Sequence, residues 1–182
     1  MREKLRPPFV LFVVCLVTVA AIVLVRNLTF VDNTGVLTEK LQAACVKAMG
    51  DGEYEMIPEL TYDGIASVIR AKDGSGLCFE AVADGYVKGG IRLVVGIDPE
   101  GVLTGVSVVS LLETPGLGTK VADEAFLSLF DGRSEKQSVV KRDAVGDTQV
   151  DAVTGATYSS RGVANAVNAA LAAFPQAKEA LE

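Results

Sequence analysis

At 182 residues, 49% of them hydrophobic, the chain has room for one globular domain and an anchor, but not for two independent cores. It carries 17 Lys and Arg against 23 Asp and Glu; 4 of the basic residues and 1 acid fall in the first 26 positions, so the remainder holds a net −9, a surface that repels phosphate backbones and excludes nucleic acid as an expected partner. Histidine and tryptophan are absent; without histidine the commonest metal ligand and general base are missing, so no metal site and no catalytic residue are expected and the chemistry falls to a cofactor.

The first predicted element is a transmembrane helix over residues 9–25, a run of 17 residues without a charge. At about 1.5 Å per residue it spans roughly 25 Å, near the hydrocarbon thickness of a bilayer once Pro7 and Pro8 are included. A cleaved signal peptide is the rival reading, but Thr18-Val19-Ala20 is a weak cleavage site and the apolar run continues past it, so an uncleaved anchor is expected. Arg2, Lys4 and Arg6 precede the run and only Arg26 follows closely. The positive-inside rule then leaves residues 1–8 in the cytoplasm and sends the rest across the cell membrane as a single-pass protein. Residues 26–50 form a connecting segment and helix, and residues 51–182 the extracytoplasmic domain.

A helix is predicted over 34–49, capped by Thr34 or Thr38 and ended by Gly50, with Leu37, Leu41, Ala44, Cys45 and Ala48 on one face. Strands are predicted over 53–60, 65–71 and 77–83. The clearest hairpin is 91–97 with 102–110, where Ile91, Leu93, Val95 and Ile97 alternate with Arg92, Val94 and Gly96 before an Asp98-Pro99-Glu100-Gly101 turn. Helices are predicted over 121–130 and 161–174, the second ended by Pro175 and followed by a fraying acidic tail. Strand runs without regular βαβ alternation imply an α+β domain with a mainly antiparallel sheet flanked by helices. Cys15 lies in the apolar run, and Cys45 and Cys78 have no ligand spacing; buried thiols are the simplest reading, and a Cys45–Cys78 disulfide stays open outside the cytoplasm.

Two loops precede helices. The first is Glu113-Thr114-Pro115-Gly116-Leu117-Gly118, and the second is Asp151-Ala152-Val153-Thr154-Gly155-Ala156-Thr157-Tyr158-Ser159-Ser160. Small residues allow close backbone approach, and a helix start presents unpaired N–H groups and a positive dipole end, a natural seat for a phosphate. Each loop also has a plainer reading: a Pro-Gly turn with Thr119 as a cap, and a glycine turn with Ser159 or Ser160 as a cap.

Together the two loops resemble the FMN-binding domain of the G subunit of Rnf complexes and the C subunit of Nqr complexes, over roughly residues 30–175. The compact chain is more similar to the Rnf G subunit. The resemblance implies that FMN is attached covalently through a phosphoester to Thr157 by a separate flavin transferase, in a motif opened by Asp151 with Thr154, Gly155 and Ala156 forming the turn. Thr154, Ser159 and Ser160 would offer hydroxyl donors to the phosphate; Glu113, Thr114, Pro115, Gly116, Leu117 and Gly118 would pack against the flavin ring. Leu111-Leu112, just ahead of Glu113, departs from the more polar approach of many members. The implied role is an electron-carrying subunit of a membrane-bound, ion-translocating ferredoxin:NAD oxidoreductase, with the other Rnf subunits and the bilayer as partners. A stand-alone flavinylated carrier and a sensory or structural module without flavin are the alternatives.

Overall fold

The computed structural model describes residues 2–29 and 37–181, and the chain falls into two compact units, Met1–Thr34 and Gly35–Glu182. The first contains helix α1 (Arg2–Thr29). Its segment Phe9–Leu28 is 20 residues long with a mean hydropathy of 2.9, long and apolar enough to cross a membrane, and none of its side chains is buried.

The second unit is an α+β fold. Strands β1 (Tyr54–Ile57), β2 (Ile65–Ala71), β3 (Leu77–Ala83), β4 (Ile91–Ile97) and β5 (Leu103–Leu111) form one antiparallel sheet in chain order. Alternation decides which side chains face which helix. Leu77, Phe79 and Ala81 of β3, with Ile91, Leu93, Val95 and Ile97 of β4, join the core beneath helix α4 (Thr157–Leu181). Ile69, Cys78 and Val94 point the other way, into a second cluster beneath helix α2 (Glu39–Met49). The centre of the sheet is therefore buried on both faces, which is why β3 and β4 are so uniformly apolar.

Helix α2 starts at Thr38, whose hydroxyl accepts the Leu41 N–H at 3.3 Å. Thr34, the other candidate cap, lies outside the described residues. The helix lies close to the sheet because Gly96 and Gly105 are registered opposite each other; a Cβ on either would come within 2.8 or 2.7 Å of the Ala48 carbonyl oxygen. That carbonyl also accepts the Thr104 hydroxyl at 2.8 Å. The Asp98 turn forms as expected, with Gly101 N–H donating to Asp98 O and the Asp98 side chain accepting from Glu100 and Val102.

Several elements differ from the sequence expectation. β1 stops at Ile57, where its pairing with β2 ends and Pro58 follows. The helix predicted over 121–130 is broken: a 3-10 turn (Gly118–Ala122), a four-residue helix α3 (Glu124–Leu127) and a second 3-10 turn (Ser128–Phe130) replace it. Asp123, at φ −65°, ψ 134°, is extended and interrupts the ladder, while Val121, Phe126, Leu127 and Phe130 still reach the core. A pair of short parallel strands, β6 (Ser138–Val140) and β7 (Gln149–Asp151), was not foreseen. The Arg133 guanidinium holds the second of them, donating to the carbonyls of Asp147 and Gln149 and to Gln137 Oε1.

The last helix is longer than predicted at both ends. It begins at Thr157 and runs through Pro175, and the tail does not fray before Leu181. Proline removes one helical N–H and crowds the preceding turn. Here the exposed Pro175 is outweighed by contacts further along the helix: Ala177 is fully buried, and Lys178 Nζ donates to Pro99 O at 2.9 Å.

Candidate functional site

The two loops singled out in the sequence meet at the start of α4. In the second, Ala156 N–H donates to Val153 O at 2.9 Å, closing a turn with Gly155 at its third position and φ +81°. Glycine takes that backbone conformation without strain, and among other residues asparagine tolerates it best. The Ser160 hydroxyl ties the turn to the helix, accepting Val153 N–H at 3.0 Å and donating to Ala156 O at 2.9 Å. Asp151, at the end of β7, accepts Ala144 N–H at 2.9 Å and so steadies the loop between β6 and β7.

Thr157 is the first residue of α4, and its side chain is half-buried. Neither Ser159 nor Ser160 is the cap of the plainer reading, because both lie inside the first turn and are almost fully buried. Among the described residues, no acceptor meets the N–H groups of Thr157, Tyr158 or Ser159; the first satisfied amide is that of Ser160, donating to Ala156 O at 2.8 Å. The hydroxyls divide in two. Those of Ser159 and Ser160 are committed inside the protein, and those of Thr154 and Thr157 have no hydrogen-bond partner among the described residues. Arg161, exposed and four residues on, lies on the same side of the helix as Thr157.

The first loop plays a different part from the one its composition suggests. Thr114, Pro115, Gly116 and Leu117 form a turn with Leu117 N–H donating to Thr114 O at 3.2 Å and Gly116 at φ +74°. Thr119 reaches back into that turn, its hydroxyl accepting Gly116 N–H at 3.0 Å, and does not cap forward. The chain then enters a 3-10 turn and a four-residue helix, too short to build the macrodipole of an anion seat. Instead, the loop delivers Glu113. This carboxylate is 6% exposed; Oε2 accepts the Ser159 hydroxyl at 2.5 Å, and Oε1 accepts the N–H groups of Tyr86 and Val87 at 3.0 and 3.4 Å. Gly118 packs so tightly that a Cβ there would lie 2.6 Å from Glu113 Oε2 and 2.8 Å from Ser159 Oγ.

One buried carboxylate thus clamps three segments: the 84–90 turn, the ETPGLG loop and the first turn of α4. Nothing in the spacing of Glu113 and Ser159, 46 residues apart, could have revealed the pairing. The part played by residues 84–90 was missed as well, although the run Asp84-Gly85-Tyr86-Val87-Lys88-Gly89-Gly90 carried a loop signal. Around the clamp the segments expose Tyr86, Leu112, Leu117 and Tyr158, at 77, 65, 51 and 69%. Leu117 reaches over the second loop, its Cδ2 3.7 Å from where a Gly155 Cβ would stand.

Known proteins are similar to this chain in sequence and in fold. Residues 86–172 match the family model for the FMN-binding domain, a span that holds both loops and begins at the residue whose amide meets Glu113. The G subunit of an ion-translocating oxidoreductase complex from Pseudomonas aeruginosa is 32% identical over 202 aligned positions, covering 99% of this chain and 92% of the relative. The chain belongs to the G-subunit family of ion-translocating oxidoreductase complexes. It spans about half the length of other curated relatives that it matches: the Aliivibrio fischeri G subunit is 41% identical over 102 residues, 53% of this chain and 48% of the relative. Among solved structures, Shewanella oneidensis NqrC superposes with a TM-score of 0.50 at 27% identity, covering 62% of this chain and 61% of that one. The sheet and helices of this G-subunit family member are thus an NqrC-like FMN-binding fold.

Proposed function

We propose that this G-subunit chain carries electrons within a membrane-bound, ion-translocating ferredoxin:NAD oxidoreductase, through FMN joined by a phosphoester to Thr157. The observation that carries the reading is the state of Thr157: a free, half-exposed hydroxyl at the start of a 25-residue helix whose first three N–H groups lack acceptors. Those donors and the helix dipole fit the single negative charge of a phosphodiester. Thr154 and the Arg161 side chain supply further donors within the same turn. Bound there, FMN supplies a ring that accepts and returns electrons.

The remaining residues hold and shape. Gly155 sets the turn that leads into Thr157, Ser160 staples that turn to α4, and Glu113 fixes α4 against the first loop. Leu117, Tyr158, Leu112 and Tyr86 offer exposed apolar surface on which an aromatic ring rests with water excluded from one side. No residue of the site has to move a proton, in keeping with a histidine-free chain.

In this reading α1 anchors the chain in the bilayer with its N-terminus in the cytoplasm, and the folded unit works on the other side beside the remaining subunits of the complex. Maturation is by a separate flavin transferase. Coexpression with that enzyme and in-gel fluorescence after denaturation tests the attachment. Wild type and Thr157→Ser fluoresce and Thr157→Ala is dark while its far-ultraviolet circular dichroism is unchanged; a fluorescent Thr157→Ala band refutes the assignment.

A further inference from the structure

Beneath α2 lies a chemistry that the electron-carrying role does not use. Cys45 occupies the buried face of α2, between Ala44 and Ala48, and Cys78 stands near the start of β3; both are completely buried and both belong to the cluster that packs α2 on the sheet. The register brings them together. Cys78 is paired with Gly96 across β3 and β4 and with Ile69 across β2 and β3, and Gly96 is the position where the Ala48 carbonyl presses on the sheet. Cys45, one helical turn before Ala48, therefore stands over the strand that carries Cys78. The neighbouring Cys45 thiol and burial together push the Cys78 thiol well above its ordinary range. Neither thiol is already bonded to a partner sulfur.

We propose that Cys45 and Cys78 are a disulfide-forming pair that locks α2 onto the sheet. Both side chains belong to one packed cluster, so the bridge would join neighbours across a single helix–sheet contact. The proposal rests on the extracytoplasmic placement only for its setting, because an oxidising compartment is where such a bond persists. The oxidant is a compound of the disulfide class. A thiolate of one cysteine attacks its S–S bond and releases one thiol; the second cysteine then displaces the other thiol from the mixed disulfide. The pair loses two electrons and two protons, and the oxidant's S–S bond is reduced to two thiols.

Burial orders these events. With α2 docked, neither sulfur is reachable and the raised Cys78 pKa keeps its thiolate scarce, so the bond closes before α2 seats and is protected from reductants afterwards. The loop it closes spans β1 and β2. Apart from apolar packing, the described polar ties of α2 to the sheet are Thr104 Oγ1 to Ala48 O and Tyr54 Oη to the carbonyls of Cys45 and Gly50, so a covalent tie changes how firmly the helix is held.

The test uses the full chain in detergent, unfolded and refolded with a mixture of oxidised and reduced glutathione, then treated with N-ethylmaleimide under denaturing conditions. The expected product carries one label, at Cys15, has lost two hydrogens, and yields a linked Cys45–Cys78 peptide pair; after reduction it takes three labels. Its Tm exceeds that of the reduced chain by about 10 °C, and Cys45→Ala and Cys78→Ala, each small enough for the site, abolish that difference while remaining folded. Three labels without reduction, after refolding in the oxidising mixture, overturn the proposal. A reporter enzyme active only after export, fused at the C-terminus, reads the topology separately: an inactive reporter with a closed disulfide in vitro fails the placement of the domain and leaves the cysteine pairing standing, and an active reporter with both thiols free in native membranes overturns the pairing alone.

Discussion

Removing the Glu113 carboxylate tests whether it is a clamp or a ring contact. Glu113→Ala leaves the Ser159 hydroxyl, 3% exposed, and the Tyr86 and Val87 amides without their acceptor. An unsatisfied buried donor costs about 1–3 kcal/mol; with the Ser159 hydroxyl buried and the Tyr86 and Val87 amides only part-buried, the loss should be about 2–4 kcal/mol, a sizeable share of the roughly 5–15 kcal/mol that holds a domain together. Glu113→Gln keeps an acceptor for the two amides and turns a donor to Ser159, so only the charge-assisted part is lost, about 1–2 kcal/mol. Ser159→Ala should cost about 1.5–3 kcal/mol, and the Glu113/Ser159 double-mutant cycle should show a coupling of about 1–2 kcal/mol. Urea unfolding of the detergent-solubilised chain, followed by circular dichroism, gives these numbers from midpoints at a constant m-value. A Glu113→Ala midpoint equal to wild type, or additive single mutants, refutes the clamp and returns Glu113 to a ring contact.

Two further changes address the turn and the base of α2. Gly155→Val should slow flavin attachment strongly, because a β-branched residue at φ +81° is strained by roughly 1–2 kcal/mol while Gly155→Asn, which tolerates that region, keeps most of the product; equal labelling of the Val and Asn variants in a timed transferase assay contradicts this. Tyr54 donates to Gly50 O at 2.6 Å and burial is the main cause that pushes its pKa up to about 12 from 10.0. The folded value is raised, so its stabilisation is complete below about pH 10 and is lost as pH climbs toward 12; Tyr54→Phe should lose about 1 kcal/mol at neutral pH and flatten the alkaline slope of stability, and an unchanged slope refutes the coupling.

How much the sequence made legible depends on how local each signal is. β2, β3 and β4 begin and end where turn residues bracket apolar runs, since a strand covered by α4 on one face and by α2 on the other is apolar along most of its length. The turn from Val153 to Ala156 was likewise readable, because Gly155 and its small neighbours lie side by side in the chain. The break at Asp123 was not, because Val121, Phe126 and Phe130 keep helical spacing while the backbone between them does not. The true start of α4 was hidden because Ser159 and Ser160, good caps by type, are held inside the helix by Glu113 and Ala156. Its end was hidden because Pro175 signals a stop that the burial of Ala177 overrides. β6 and β7, three residues each, depend on Arg133 and on each other and leave no period to read.

The most direct measurement is peptide mapping by mass spectrometry of the chain isolated from its own membranes. The peptide spanning Asp151 to Arg161 is expected to carry the mass of FMN less one water, with fragmentation assigning it to Thr157. That peptide recovered wholly unmodified, or the adduct found on Thr154 or any other residue, would contradict the assignment of Thr157 as the flavin's point of attachment.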